Sequence, residues 1–352
     1  MSSSGENEKV ELKKVLELTP EEIEEGYKDI SKKNSDITAQ QYYELIYEQI
    51  EREKNEAIPK SQNPKYQDAI NRVSVLINSF RDMQKLRISQ GNRIVAFVRC
   101  ALPDLPKKGG GDDDNNRMLN RLKKEYGRIT DFIVENGITI RKFFNSEEYL
   151  KDNKINLITN QTFYFLMENW RRIMDEEKQL MVKIQKEISS HPMHVFQKNT
   201  IGMGAIMTAY LLRFLNPYVA DHPSSYWRYC GYDVVNGIGV NKARKETYRY
   251  QIYITKDNKV GIMQMPGYNV VLKSRIHVFM TSCVYGQYKN ESIYNEIYQQ
   301  YLDRISSMEI HQSKTELHRK NMALRYACKK FLTHVWVYMR KIEGLPTTNE
   351  NQ

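Results

Sequence analysis

The chain has no long apolar run. No stretch among its 352 residues approaches the roughly twenty that a membrane-spanning helix needs, and none follows Met1, so neither a span nor a secretory signal is expected. Cysteine is scarce: the 4 residues, Cys100, Cys230, Cys283 and Cys328, form no Cys-x-x-Cys pair and read as reduced, mostly buried thiols of an intracellular protein. A P-loop, a Rossmann glycine fingerprint and a methyltransferase Asp-Pro-Pro-Trp motif are all missing. The 24 tyrosines lack the arginine-histidine-arginine setting that would activate a recombinase nucleophile, which excludes that chemistry. His191-Pro-Met-His194 has a zinc-like spacing, but no second His or Cys pair follows at a ligand interval, and the proline breaks the helix there. Asp112, Asp113 and Asp114 read as solvated acids on a Gly-rich loop, and His311 and His318 as members of a surface helix. No metal, cofactor or small-molecule substrate is expected.

What the chain does have is charge, unevenly spread. Net charge is +10, and the composition, 40% hydrophobic and 27% charged, suits two compact domains or one with extensions. Residues 1–60 hold 9 Lys/Arg and 15 Asp/Glu, a net of −6, whereas the remainder holds 44 and 28, a net of +16. That is an acidic leader in front of a body suited to a polyanion.

Periodicity predicts a mainly α protein: a helical bundle with a long coiled-coil-like helix and a small β-hairpin insertion. Residues 1–18 read as a mobile leader and 19–102 as an N-terminal helical region. Thr19-Pro-Glu-Glu is a helix start, with a cap, a proline at the first position and acids in the first turn. Thr38 opens a helix over 40–56 with Tyr43, Ile46, Tyr47 and Ile50 on one face. Asn63-Pro64 starts a longer run carrying Ile70, Val73, Leu76, Ile77 and Phe80, with a break expected near Gly91. Two prolines, three glycines and adjacent acids make 103–117 a flexible linker.

A coiled-coil-like segment fills 118–190. Leu119, Leu122, Tyr126, Ile129 and Ile133 stripe its first helix. Asn160 or Thr162 then starts the longest helix of the chain, with Phe163, Leu166, Trp170, Ile173, Leu180, Ile184 and Ile188 at 3-4 spacing around a polar Glu177. Aromatic and β-branched residues alternate over 247–255 and 260–265 about Asp257-Asn258, the pattern of a β-hairpin. Helices are expected again at 271–283, 292–308 and 313–343, before a tail at 347–352.

Residues Lys198 to Asn216 form a two-helix pattern about Gly202-Met203-Gly204. Both glycines can take positive φ, so the chain reverses tightly and enters a helix whose first N–H groups suit a phosphate. Ile201, Ile206, Ala209 and Leu212 supply the apolar face. A helix-hairpin-helix unit has this pattern and holds backbone phosphates without reading bases; an ordinary αα-corner would carry the same glycines. Downstream, Asp221–Asp233 reads as an N-capped short helix ending at Gly231. Arg228, Lys242, Arg244, Lys245 and Arg249 interleave there with Tyr226, Trp227, Tyr229 and Tyr248, cations for phosphates and rings for bases. Together with Lys198, Asn199, Thr200, Gly202 and Gly204 these cations predict a continuous DNA-facing surface within a domain over 191–346. The alternative is a solvated loop followed by a half-buried strand.

Taken in order, the long helix, the glycine hairpin, the aromatic-glycine segment and a terminal helix bearing Phe331, Val335, Trp336 and Met339 make residues 155–346 resemble the C-terminal helix-hairpin-helix domain of Piv/MooV-type transposases and related phage proteins. The resemblance implies DNA binding and, for the long helix, dimer contacts. It stops short of the family's chemistry. Nothing in 1–150 reads as the RuvC-like nuclease domain, and the turn where the family places its nucleophilic serine reads Val235-Asn236-Gly237-Ile238-Gly239. A carboxamide cannot replace that nucleophile, and the nearest hydroxyls, Ser224 and Ser225, read as helix N-caps.

The chain is also similar in its basic, transposase-like and AT-rich character to small accessory subunits of protist DNA N6-adenine methyltransferases of the MT-A70 type. These resemblances imply a non-catalytic DNA-binding and scaffold subunit of a nuclear DNA-modifying complex. Its partners would be double-stranded DNA and protein subunits, the latter met by Tyr43, Ile46, Tyr47, Ile50, Phe163 and Trp170. The rival reading is an active transposase or recombinase catalysing strand transfer. A third is a structural protein whose helices only oligomerise.

Overall fold

A computed structural model describes residues 14–33, 37–101, 112–235, 237–240, 248–255 and 259–347. The chain is mainly α-helical. Among the described residues the helices are α1 (Pro20–Lys33), α2 (Ala39–Glu56), α3 (Pro64–Ala101), α4 (Asp112–Glu135), α5 (Ile140–Phe144), α6 (Glu147–Asp152) and α7 (Gln161–Ser189). They continue as α8 (Met193–Asn199), α9 (Ala205–Phe214), α10 (Pro223–Tyr229), α11 (Val270–Val284), α12 (Ile293–Ser307), α13 (Glu309–Gln312) and α14 (Glu316–Ile342). Two antiparallel hairpins pair β1 (Val234–Val235) with β2 (Ile238–Gly239) and β3 (Tyr248–Ile254) with β4 (Val260–Pro266). The chain divides into two units, residues 72–187 and residues 1–71 with 188–352. Of the expected linker, 103–111 lies outside the described residues and 112–117 is already the first turns of α4.

The unit of residues 72–187 closes around Val98, Leu122, Ile129, Phe143, Ile158 and Met167. Its α3 is one helix of 38 residues, so it and not the 29-residue α7 is the longest, and it does not break at Gly91. The glycine serves close packing instead. A Cβ there would stand 3.1 Å from Leu119 Cδ1 and 3.2 Å from Trp170 Nε1, and that indole N–H donates to the Arg87 carbonyl at 3.1 Å. Asn160 starts α7 by accepting the Phe163 N–H, 3.1 Å. The buried carboxylate of Glu125 accepts the N–H groups of Asn156, Leu157 and Ile158 in the turn leading there. Glu177, the polar interruption of the α7 seam, is buried in an ion pair with Arg87.

In the other unit, Thr19 and Glu22 form a reciprocal capping box at α1, and Thr38 and Gln41 do the same at α2. Helices α1 and α2 and the β3–β4 hairpin enclose Ile30, Tyr42, Ile46, Ile252 and Val260. The buried face of α2 is shifted from the expected one: Tyr42 is buried, whereas Tyr43 and Tyr47 are 44% and 65% exposed. The cause is Gly26. A Cβ on it would fall 2.7 Å from the Tyr42 hydroxyl oxygen, and that hydroxyl donates to the Ile23 carbonyl at 2.9 Å. The turn at 256–258 lies outside the described residues, but the strands pair from Tyr248 opposite Pro266 to Ile254 opposite Val260.

Helix α14 runs through the centre of this unit against α10, α11 and α12. Phe331, Val335, Trp336 and Met339 are all buried by the chain itself. The Trp336 indole donates to the Ala220 carbonyl at 2.7 Å. Arg340, 5% exposed, donates to the carbonyls of Pro217, Ala220 and Pro346. His311 and His318 belong to two helices, because Thr315 opens α14 by accepting the His318 N–H.

Candidate functional site

Helices α8 and α9 flank the glycine turn, and the two glycines differ. Gly202 is left-handed, φ +83, with the Tyr288 ring 2.7 Å from where its Cβ would lie. Gly204 is extended, φ −93 and ψ 172, and serves as the N-cap of α9 with open space around it. The expected positive φ therefore holds at one position only, since the reversal is complete before the helix begins. Ile201 is exposed, not packed, while every residue from Met207 to Leu212 is buried. Lys198 and Asn199 are exposed in the last turn of α8, Thr200 is half-buried, and Gly204 is exposed at the start of α9. Ser224 and Ser225 do not cap α10: they are exposed in its first turn, and the N-cap is His222.

The glycine turn and the basic-aromatic stretch stand at opposite ends of α11. Cys283, near its C-terminus, donates its thiol to the Ile201 carbonyl at 3.8 Å, while Asn269, its N-cap, donates its N–H to the Tyr229 carbonyl at 2.8 Å. Fifteen residues of helix span about 22 Å, so the glycine turn and the Tyr229 end of the basic-aromatic stretch are about that far apart. Arg228 is exposed and Arg249 half-buried, and burial together with the Arg228 charge lowers the pKa of Arg249. Lys242, Arg244 and Lys245 lie outside the described residues, as does Asn236.

At that same N-terminal end of α11 is a cleft of about 900 Å³ between α11, α14 and the β1–β2 hairpin. Lys273, Lys314, Arg325 and Lys329 line it with His277 and His318, and among the described residues no aspartate or glutamate does. The Lys273 ammonium donates to the Val240 carbonyl at 2.6 Å and lies 4.4 Å from the centre of the Tyr268 ring. Tyr268 in turn packs on Gly231, whose φ of +70 and missing Cβ leave room for the ring. Arg325 donates to the Asp233 carbonyl at 2.9 Å, and Lys329 lies 5.0 Å from the centre of the Trp227 ring.

These cations are held by carbonyl dipoles and ring faces, and among the described residues no carboxylate lies within 4 Å of Lys273 or Lys329. Burial, reinforced by the neighbouring Arg325, pulls Lys273 down to about 8 and lowers Lys329 as well, with Asp233 opposing both. Burial and then Lys273 lower His277. Cations crowded this way offer a ready site for an anion.

Of the residues expected to meet a partner, Ile46, Phe163 and Trp170 are buried by the chain itself and Ile50 is half-buried, leaving Tyr43 and Tyr47 exposed. The group of three or more His, Cys, Asp or Glu that would hold a metal is absent among the described residues. No helix there is long and apolar enough to cross a membrane. Sequence reasoning missed Lys273, Arg325 and Lys329. Their signal was Lys273 beside the buried Leu272 and Ile276 of α11 and a pair of cations four apart on α14. No known protein family, characterised protein or solved structure matches the chain.

Proposed function

We propose that the chain binds nucleic acid through the phosphate backbone, as a non-catalytic DNA-binding and scaffold subunit of a nuclear DNA-modifying complex. The observation that carries the reading is the cleft lined by Lys273, Lys314, Arg325 and Lys329, with no aspartate or glutamate among its described lining residues. Phosphates neutralise such charge without base readout. Duplex affinity measured by fluorescence anisotropy should fall steeply with salt and vary little with sequence, with a log–log slope near −0.9 per phosphate engaged. Arg228→Gln and Lys314→Gln should each flatten that slope by about one phosphate contact. Salt-independent binding, or none at low salt, would overturn the reading. Strand nicking by the purified chain with magnesium, abolished by Ser224→Ala or Ser225→Ala, would instead establish the transposase alternative.

A further inference from the structure

We propose that the open edge of β4 is a strand-addition site, taken by an extended segment of a partner protein in which Lys or Arg alternates with apolar residues. The site stands apart from the nucleic-acid reading, and either can fail without the other. The hairpin's own hydrogen bonds fix which backbone groups are left over. Thr255 donates its N–H to the Lys259 carbonyl at 2.8 Å, which makes these two a bonded pair. Bonded and non-bonded pairs alternate along an antiparallel ladder. Tyr253–Gly261, Gln251–Met263 and Arg249–Met265 are then bonded across the hairpin, and the N–H and C=O groups of Val260, Ile262 and Gln264 point away from β3. Pro266, with no N–H to give, falls on a non-bonded position opposite Tyr248. Among the described residues nothing meets the outward groups of Val260, Ile262 and Gln264.

Edge strands are usually guarded by charge, a bulge or a covering element. β4 reads Val-Gly-Ile-Met-Gln-Met-Pro without a charged side chain, and Met263, Gln264 and Met265 are exposed. β3 differs, because Arg249 belongs to it and Glu48 and Arg52 of α2 act on that guanidinium. The helix beside the open edge sets the chemistry of the occupant. α1 packs on β4 and α2 on β3. Tyr27 of α1 turns toward α2, its ring 5.4 Å from that of Tyr42, while Gly26 turns down onto Val260. At about 3.6 residues per turn, Glu25 and Asp29 then project from the opposite flank, over the edge of β4. Lys28, which acts on Glu25, is itself paired with Glu24 at 2.8 Å. An added strand presents one face to these two carboxylates and the other alongside Met263 and Met265, 42% and 39% exposed. Cations on the first face and apolar side chains on the second suit both surroundings.

The test uses the full chain and three capped synthetic peptides: Lys or Arg alternating with Val, the same with Glu in place of the cations, and the first with every backbone nitrogen methylated. The basic peptide should bind, and the other two should bind about tenfold more weakly or worse, the worth of a lost hydrogen bond. Amide hydrogen exchange read by NMR should slow at Val260, Ile262 and Gln264 and change little at Gly261, Met263 and Met265, whose N–H groups the hairpin already holds. Gln264→Pro removes an outward donor that the hairpin does not use. It should weaken the basic peptide about tenfold and leave the melting temperature and duplex affinity nearly unchanged. Glu25→Lys with Asp29→Lys, which leaves the strand untouched, should turn the preference toward the acidic peptide.

Equal binding of the methylated peptide, or protection at other amides only, would overturn strand addition at this edge. A preference of the unaltered chain for the acidic peptide would overturn the partner's chemistry. Mass doubling with rising concentration, with the same three amides protected in the absence of peptide, would give the edge to a second copy and overturn the partner proposed. Binding of the basic peptide as described, with no duplex binding at any salt, would support this site and sink the nucleic-acid reading.

Discussion

Single glycines carry more of this structure than their small size suggests, and they do so for different reasons. Gly202 is fixed by its backbone and by Tyr288, so Gly202→Ala should cost about 1–3 kcal/mol. Gly204 has an ordinary extended backbone in open space, and Gly204→Ala should cost less than about 1 kcal/mol. Thermal melts of the two variants would check the contrast, and equal losses would contradict it. His191 offers a second test at this scale. Burial against Tyr66 pulls it down to about 4, so the folded chain keeps it neutral where the unfolded chain, near 6.5, is already charged. Its stabilising contribution is complete above pH 6.5 and drains away as pH falls toward 4, on the order of 3 kcal/mol in all. Urea midpoints at pH 7 and 4.5 should therefore diverge less in His191→Phe; an undiminished gap would locate the acid sensitivity elsewhere.

At the scale of elements, local chemistry was readable and long-range placement was not. The caps at Thr19, Thr38 and Asn160 and the alternation of the β3–β4 hairpin stand in the sequence because they depend on residues a few positions apart. The phase of α2 depends on Gly26 making room for Tyr42, which no periodicity count contains. The cleft depends on cations 52 and 4 positions apart in sequence (Lys273, Arg325, Lys329), gathered by the packing of α11 on α14. Arg340 is the corresponding long-range anchor for the segment after α9, satisfying three carbonyls from inside the unit. Arg340→Met should lower stability by about 2–5 kcal/mol, because those carbonyls lose a charged donor in a buried setting. A loss below 1 kcal/mol in chemical denaturation would show that the segment holds without it.

For the molecule as a whole, the acidic N-terminal region and the basic remainder are not separable parts. Helices α1 and α2 cover the apolar face of the β3–β4 hairpin, through Ile30, Tyr42 and Ile46 against Ile252 and Val260. Deleting residues 1–60 should therefore uncover that core and raise binding of a hydrophobic dye. Truncation would then test stability as much as partner capture. Substituting the exposed Tyr43 and Tyr47 with serine is the cleaner probe of a partner surface: it should weaken co-purification of any subunit docked there while leaving the melting temperature nearly unchanged.

The unit that includes both chain ends also sets a timetable for biosynthesis. Ser61 donates to the Glu343 carboxylate 282 positions later, and Tyr218 donates to the same carboxylate. At roughly 5–20 residues per second on the ribosome, residues near position 60 wait about 15 to 55 seconds for their partner to be made. Residues 72–187, by contrast, are synthesised before residues 188–352 of the other unit. Until the chain has been made as far as Pro266, Tyr42 and Ile46 have no hairpin to cover them, so the newborn N-terminal helices expose apolar surface that a chaperone could shield.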